Sequence, residues 1–148
     1  MALPDLIVYS TEEEYENHYI GNYCNASPIK TFDGIPVMFY PENFVHSFYN
    51  RTEKRWNAPK DKFSKERGER IDWIKCILQD PTIIPRKGYD KATNSYDNSR
   101  RVTFINDENY LVVIYINKRG IGKFITAYVI DNDSAAEKIR NSPLWENK

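Results

Sequence analysis

Arg100-Arg101-Val102-Thr103-Phe104-Ile105, Tyr110-Leu111-Val112-Val113-Ile114-Tyr115-Ile116 and Phe124-Ile125-Thr126-Ala127-Tyr128-Val129-Ile130 are the stretches whose reading decides the fold. All three are rich in Val, Ile, Tyr, Phe and Thr, the β-branched and aromatic residues that suit a pleated, half-buried surface. Asn106-Asp107-Glu108-Asn109 and Asn117-Lys118-Arg119-Gly120 separate them at hairpin loop lengths. The spacing therefore predicts an antiparallel meander. Thr82-Ile83-Ile84 reads as one further short extended piece, and Ser134 to Arg140 as a short terminal helix ended at Ser142-Pro143.

Upstream of the strands the period is helical. Ile71, Ile74, Ile77 and Leu78 form one stripe of a helix that Pro81 stops. Pro41 suits the first turn of a helix whose Phe44, Val45 and Phe48 surround His46 with apolar side chains. Ser10 with Glu13 has capping-box spacing and predicts a helix from about Thr11 to Tyr23. Asp33-Gly34, set between β-prone residues, is the strongest short hairpin signal in the chain. Asn50 to Phe63 and Asn94 to Arg100 read as exposed polar connections. Helices followed by strands imply an α+β domain, with helices packed on one face of an antiparallel sheet and the other face open.

The 148 residues, 41% hydrophobic, suit one domain with a real core. No apolar run approaches the roughly 18 residues of a membrane span, and the first residues lack the pattern of a secretory signal. A soluble, intracellular (cytoplasmic) protein with no membrane partner is the expectation. Cys24 and Cys76 lie in separate elements without metal-ligand spacing and read as reduced, buried thiols. Net charge is zero, but its distribution is uneven. Residues 1–45 hold one base against seven acids, a net −6, which leaves 20 bases against 14 acids, a net +6, for the rest. Such asymmetry suits a basic working surface beside an acidic flank, or equally solvated helix faces of either sign.

The motifs exclude more chemistry than they suggest. There is no HExxH, no DxD cluster, no EF-hand loop, no Gly-rich phosphate cradle and no GxSxG, so no metal or cofactor is expected. The remaining set suits RNA cleavage through the 2′-hydroxyl. Such cleavage needs a proton acceptor, cationic donors for the phosphoryl oxygens, and a group that protonates or orients the leaving oxygen. His46 is preferred as the base over His18, which lies among Glu13, Glu14 and Glu16. Its apolar neighbours fit a structural histidine at least as well. Arg67 and Arg70, at i, i+3 near a helix start, have the planar forks that grip phosphate, although surface pairing of Glu66 and Glu69 with these or neighbouring bases explains an isolated RxxR better. Thr126 and Tyr128 alternate along the last strand and place two hydroxyls on one face, which ordinary β-propensity also explains. Arg51, Lys54, Arg55 and Trp56 form a second basic cluster with an aromatic suited to base stacking, or a core anchor in the case of Trp56, and Lys123 adds a further cation.

In order along the chain, Asn43-Phe44-Val45-His46-Ser47-Phe48-Tyr49, Phe63-Ser64-Lys65-Glu66-Arg67-Gly68-Glu69-Arg70-Ile71-Asp72-Trp73-Ile74, Asp80-Pro81-Thr82-Ile83-Ile84 and Phe124-Ile125-Thr126-Ala127-Tyr128 resemble the phage-associated branch of the barnase, EndoU, colicin and RelE (BECR) superfamily of nucleases. The resemblance covers roughly residues 37–145 and leaves the acidic segment 1–36 outside it. It implies an α+β fold with N-terminal helices leading into a four-stranded antiparallel sheet. It also implies RNA, often tRNA, as substrate, and a toxin or effector role on a phage or other mobile element, with an inhibitor or immunity protein as partner. His46, Arg67, Arg70, Thr126 and Tyr128 fall at its catalytic positions. The expectation is a metal-independent endoribonuclease that leaves a 2′,3′-cyclic phosphate. A non-catalytic binding module that recognises a host protein or nucleic acid is the alternative.

Overall fold

Thr11 opens the first helix: its Oγ1 accepts from the Glu14 amide at 3.3 Å and donates to the Glu14 carboxylate at 3.2 Å. The cap thus sits one residue later than the Ser10–Glu13 pairing expected, with Thr11 in extended backbone just before α1 (Glu12–Tyr19). A π-helical turn, Ile20–Cys24, continues α1 to the expected end. The computed structural model describes residues 3–25, 28–50, 61–90, 95–96 and 101–145, with backbone alone for 89–90 and 95–96.

The Asp33-Gly34 hairpin forms as expected. β1 (Ile29–Lys30) pairs antiparallel with β2 (Pro36–Met38), and Gly34 takes φ 90°, a left-handed conformation that glycine adopts without steric cost. After it come α2 (Asn43–Phe48), β3 (Tyr49–Asn50) and β4 (Lys62–Phe63), and β3 pairs with β4 as a small ribbon. The ribbon brackets 51–60, so Arg51, Lys54, Arg55 and Trp56 lie outside the described residues. The stripe expected at Ile71, Ile74, Ile77 and Leu78 is α4 (Ile71–Leu78), and a separate short helix, α3 (Lys65–Glu69), precedes it, with Arg70 non-helical between them at φ −104°, ψ 17°. Ile71, Ile74, Ile77 and Leu78 are buried, as their spacing predicts. Thr82-Ile83-Ile84 is not a strand, because the Asp80 carboxylate takes the Thr82 amide and hydroxyl and turns the chain. The strand there is β5 (Arg86–Lys87), followed by the two-residue pair β6 (Tyr89–Asp90) and β7 (Ser95–Tyr96).

The meander follows as β8 (Arg101–Ile105), β9 (Tyr110–Ile116) and β10 (Gly122–Val129), and α5 (Asp133–Arg140) closes the order. The resulting sheet is not the four-stranded antiparallel one expected. It has six strands in the order β1-β2-β10-β9-β8-β5 and is mixed, because β2 runs parallel to β10 through Val37 and Met38 beside Gly122 and Lys123. The physical cause is long-range: the N-terminal hairpin supplies one edge and β5 the other. The described residues of the first 36, 3–25 and 28–36, are accordingly built into the fold. Tyr15, Tyr19, Tyr23 and Ile29 join Phe39, Phe44, Phe48, Phe124 and the α4 stripe in one core. The Tyr19 ring stands 5.5–6.3 Å from those of Phe48, Phe44, Phe39 and Phe124. Neither Cys24 nor Cys76 is in a disulfide, and each is half-buried rather than buried.

The opposite sheet face is not wholly open. Ala136 of α5 packs with Ile105 and Leu111, and Val113, Tyr128, Ile130 and Ile139 flank them. Asn109 clamps this helix to the β8–β9 turn: it donates to the Asp133 carboxylate at 2.8 Å, and its side-chain oxygen accepts from Arg140. Asn109 also sits at φ 66°, the left-handed region that costs most side chains about 1–2 kcal/mol. Asn109→Ala should therefore lose about 2 kcal/mol in urea unfolding, the strain plus the lost bonds. Asn109→Gly, which relieves the strain and loses only the clamp, should lose less. Equal losses in the two variants would show that backbone conformation contributes nothing.

Candidate functional site

Backbone geometry within β10 sets the position of Thr126 and Tyr128. Phe124 pairs with Ile114 but Thr126 pairs with Val113, so Ile125 is an extra residue, a β-bulge. Strict alternation would put Phe124, Thr126 and Tyr128 on one face; the bulge sends Phe124 and Ala127 into the main core and leaves Thr126 and Tyr128 on the other side. Two side chains of α2 hold it. Ser47 Oγ donates to the Ile125 carbonyl at 2.6 Å, and Asn43 Nδ2 donates to the carbonyls of Phe124 at 2.9 Å and Ile125 at 3.1 Å. These two residues lie one turn apart on the helix, which aims both at the strand.

Arg67 connects the same helix to Tyr128. Its Nη1 donates to the Ser47 carbonyl at 3.0 Å, and its guanidinium carbon stands 4.8 Å from the centre of the Tyr128 ring. The side chain is half-buried, and burial lowers its pKa from the ordinary arginine value. Desolvation sharpens such a charge, because a guanidinium over a ring is worth more out of water. Ser64 fixes the local backbone by accepting from the Arg67 amide at 3.3 Å.

Arg70 does not share this arrangement. The break between α3 and α4 turns it away, so that its Nη1 donates to the Glu66 carbonyl at 2.8 Å and its guanidinium lies 5.0 Å over Trp73. Its Nε is buried without a hydrogen-bond partner. The predicted arginine pair is thus split, with Arg67 at the sheet and Arg70 committed to its own helices. His46 is exposed on α2, next to the Ser47 whose carbonyl holds Arg67. At ~100° per residue it lies roughly 60° around the helix from Asn43, on the flank of the β10-facing side. His18 belongs to a different network: its Nε2 is 2.8 Å from the Asp72 carboxylate and its Nδ1 is 3.0 Å from the Tyr9 hydroxyl.

Thr126 and Tyr128 line a cleft of about 760 Å³ between the sheet and α5. Lys87, Arg101 and Lys138 line it too, as does Thr103, and among the described residues no carboxylate does. Spacing in the sequence did not single out these three cations, because β5, β8 and α5 converge only in space. Arg101 was legible as a strand residue on the same face as Thr103. A second hollow, of about 560 Å³, has Asp80, Asp107 and Glu108 against Arg86 and Arg140, and this mixture gives an anion no net attraction. Of these two hollows, as their described residues line them, the cleft beside Tyr128 has the charge that favours phosphate. Among the described residues, no three His, Cys, Asp or Glu side chains gather to hold a metal, and no helix is long and apolar enough to cross a membrane.

The chain matches no protein-family model, no curated protein and no solved structure. The site therefore stands on its geometry. Asn43→Ala should cost about 1–3 kcal/mol in urea unfolding, since it strips donors from two strand carbonyls. A stability unchanged within 0.5 kcal/mol, a margin on the order of a surface substitution, would mean that Ser47 alone holds the bulge. Combining Arg67→Ala with Tyr128→Leu should reveal a coupling of roughly 0.5–2 kcal/mol, and strictly additive losses would show that the ring and the guanidinium act independently.

Proposed function

We propose that the protein is an endoribonuclease that binds the scissile phosphate of RNA in the cleft between α5 and the sheet and uses the 2′-hydroxyl as its nucleophile. The observation that carries this reading is the half-buried Arg67 guanidinium over Tyr128, beside a cleft lined, among the described residues, by three cations and no carboxylate. Electrostatic stabilisation of phosphoryl charge needs preorganised donors in a partly desolvated site. Arg67 has five N–H donors, one of them given to the Ser47 carbonyl. Thr126 and Tyr128 orient the phosphate. His46 takes the 2′-hydroxyl proton, the nucleophilic oxygen closes on phosphorus, and the 5′-oxygen leaves with a proton, giving a 2′,3′-cyclic phosphate and a 5′-hydroxyl end. Arg70, turned towards Glu66 and Trp73, has no part in this step. The sequence resemblance to BECR nucleases extends the reading to tRNA-like substrates and to a toxin or effector role with an inhibitor partner.

One observation favours a second reading, binding without cleavage: the residues lining the cleft include no imidazole. A module of that kind would hold nucleic acid by the same cations and leave it intact. The two readings separate in one assay. With EDTA present, the wild type should convert labelled RNA to products ending in a cyclic phosphate. His46→Ala should cut that rate by about two orders of magnitude or more, and Arg67→Ala by a factor on the order of 10²–10³. Retention of the RNA without products would leave the binding reading standing, and full activity in His46→Ala would remove that residue from the chemistry.

A further inference from the structure

Next to the cleft, on the same sheet face, one cross-strand row joins four strands. Met38 of β2 pairs with Lys123 of β10, Lys123 with Tyr115 of β9, and Tyr115 with Arg101 of β8. Directly paired residues share a face, so these side chains stand side by side across three strand spacings, about 14 Å. The next row of the face is Thr126, Val113 and Thr103, and Tyr128 lies beyond it with Leu111 and Ile105. α5 covers that far end and leaves the Met38–Arg101 row outside. Tyr115 is 38% exposed and Met38 36%, in strands whose other apolar residues are largely buried. Tyr40, also 38% exposed, lies just past β2 with its ring 5.4 Å from the Lys123 ammonium.

We propose that the row Met38–Lys123–Tyr115–Arg101, with Tyr40, is a stacking platform for an unpaired base of a single-stranded nucleic acid whose neighbouring phosphate enters the cleft. This inference rests on the RNA reading of the site and deepens it to a single-stranded substrate. A ring, Tyr115, between the cations Lys123 and Arg101, a second ring, Tyr40, against Lys123, and no carboxylate in the row suit single-strand recognition. Aromatic faces accept any base, and the cations follow the backbone. Duplex offers no free base face, and its stacked pairs cannot splay onto a sheet. Charge complementarity excludes an apolar protein partner for this row, since Lys123 and Arg101 stand at its centre and end. Arg101 belongs to both the row and the cleft, which makes the two surfaces continuous.

The test uses a fluorescein-labelled 12-mer of deoxyuridine, which has no 2′-hydroxyl and so reports binding apart from cleavage, measured by anisotropy at fixed salt. The wild type should bind the single strand at least ten-fold more tightly than the same length as a duplex. Tyr115→Leu should weaken the single-strand complex by roughly five-fold to a hundred-fold, as loss of one stacked base does, and Tyr115→Phe should keep it. Lys123→Gln should lower the salt slope by about one. A 12-mer with abasic positions throughout should bind wild type and Tyr115→Leu alike, which guards against a folding defect in the variant. Equal binding of duplex and single strand, with no effect of Tyr115→Leu, overturns the platform while leaving the phosphate cleft intact. Absence of any oligonucleotide binding by the wild type overturns the nucleic-acid reading itself.

Discussion

The carbonyls of Phe124 and Ile125 face a helix rather than a neighbouring strand, and Asn43 and Ser47 satisfy them. A bulge in a central strand otherwise leaves backbone oxygens buried and unpaired, at a cost of about 1–3 kcal/mol each. By accepting the extra residue, β10 serves two interiors at once. Phe124 completes the aromatic cluster around Tyr19, and four residues later Tyr128 faces α5 and Arg67. The helix that pins the bulge also contributes the carbonyl that holds Arg67, so the packing of the main core and the geometry of the site share one short contact.

Local chemistry made much of the architecture legible. Hairpin loops, the Ile71–Leu78 stripe and the Asp33-Gly34 turn depend on neighbours within a few residues, and all of them form where the pattern puts them. What the pattern did not contain are features fixed at long range. The parallel alignment of β2 with β10 joins residues more than eighty positions apart, and the bulge depends on Asn43 and Ser47, 82 and 78 positions from Ile125. Asp80 defeats the β-propensity of Thr82-Ile83-Ile84 by capturing a backbone amide, a local competition that propensity alone does not weigh.

For the site, the alternation of Thr126 and Tyr128 held because both lie after the bulge. Arg67 and Arg70 look equivalent at i, i+3 only while the helix is continuous, and the irregular backbone at Arg70 ends that equivalence. Tyr115 was available to inspection as a polar-tipped ring at an outward position in a Val- and Ile-rich strand. Lys87 and Lys138 were not, since a two-residue strand and a terminal helix meet at the cleft only after folding. The absence of any matching family or structure leaves this spatial grouping as the main guide to the protein's chemistry.

The parallel contact of β2 with β10 also bears on where the chain can be cut. A fragment beginning near residue 37 would keep Val37 and Met38 beside β10 yet lose β1, three core tyrosines and the cover over the outer margin of β2. Bare strand margins recruit other chains. Such a fragment is therefore expected to aggregate, because the first quarter of the chain supplies core side chains and edge cover that the remainder does not replace.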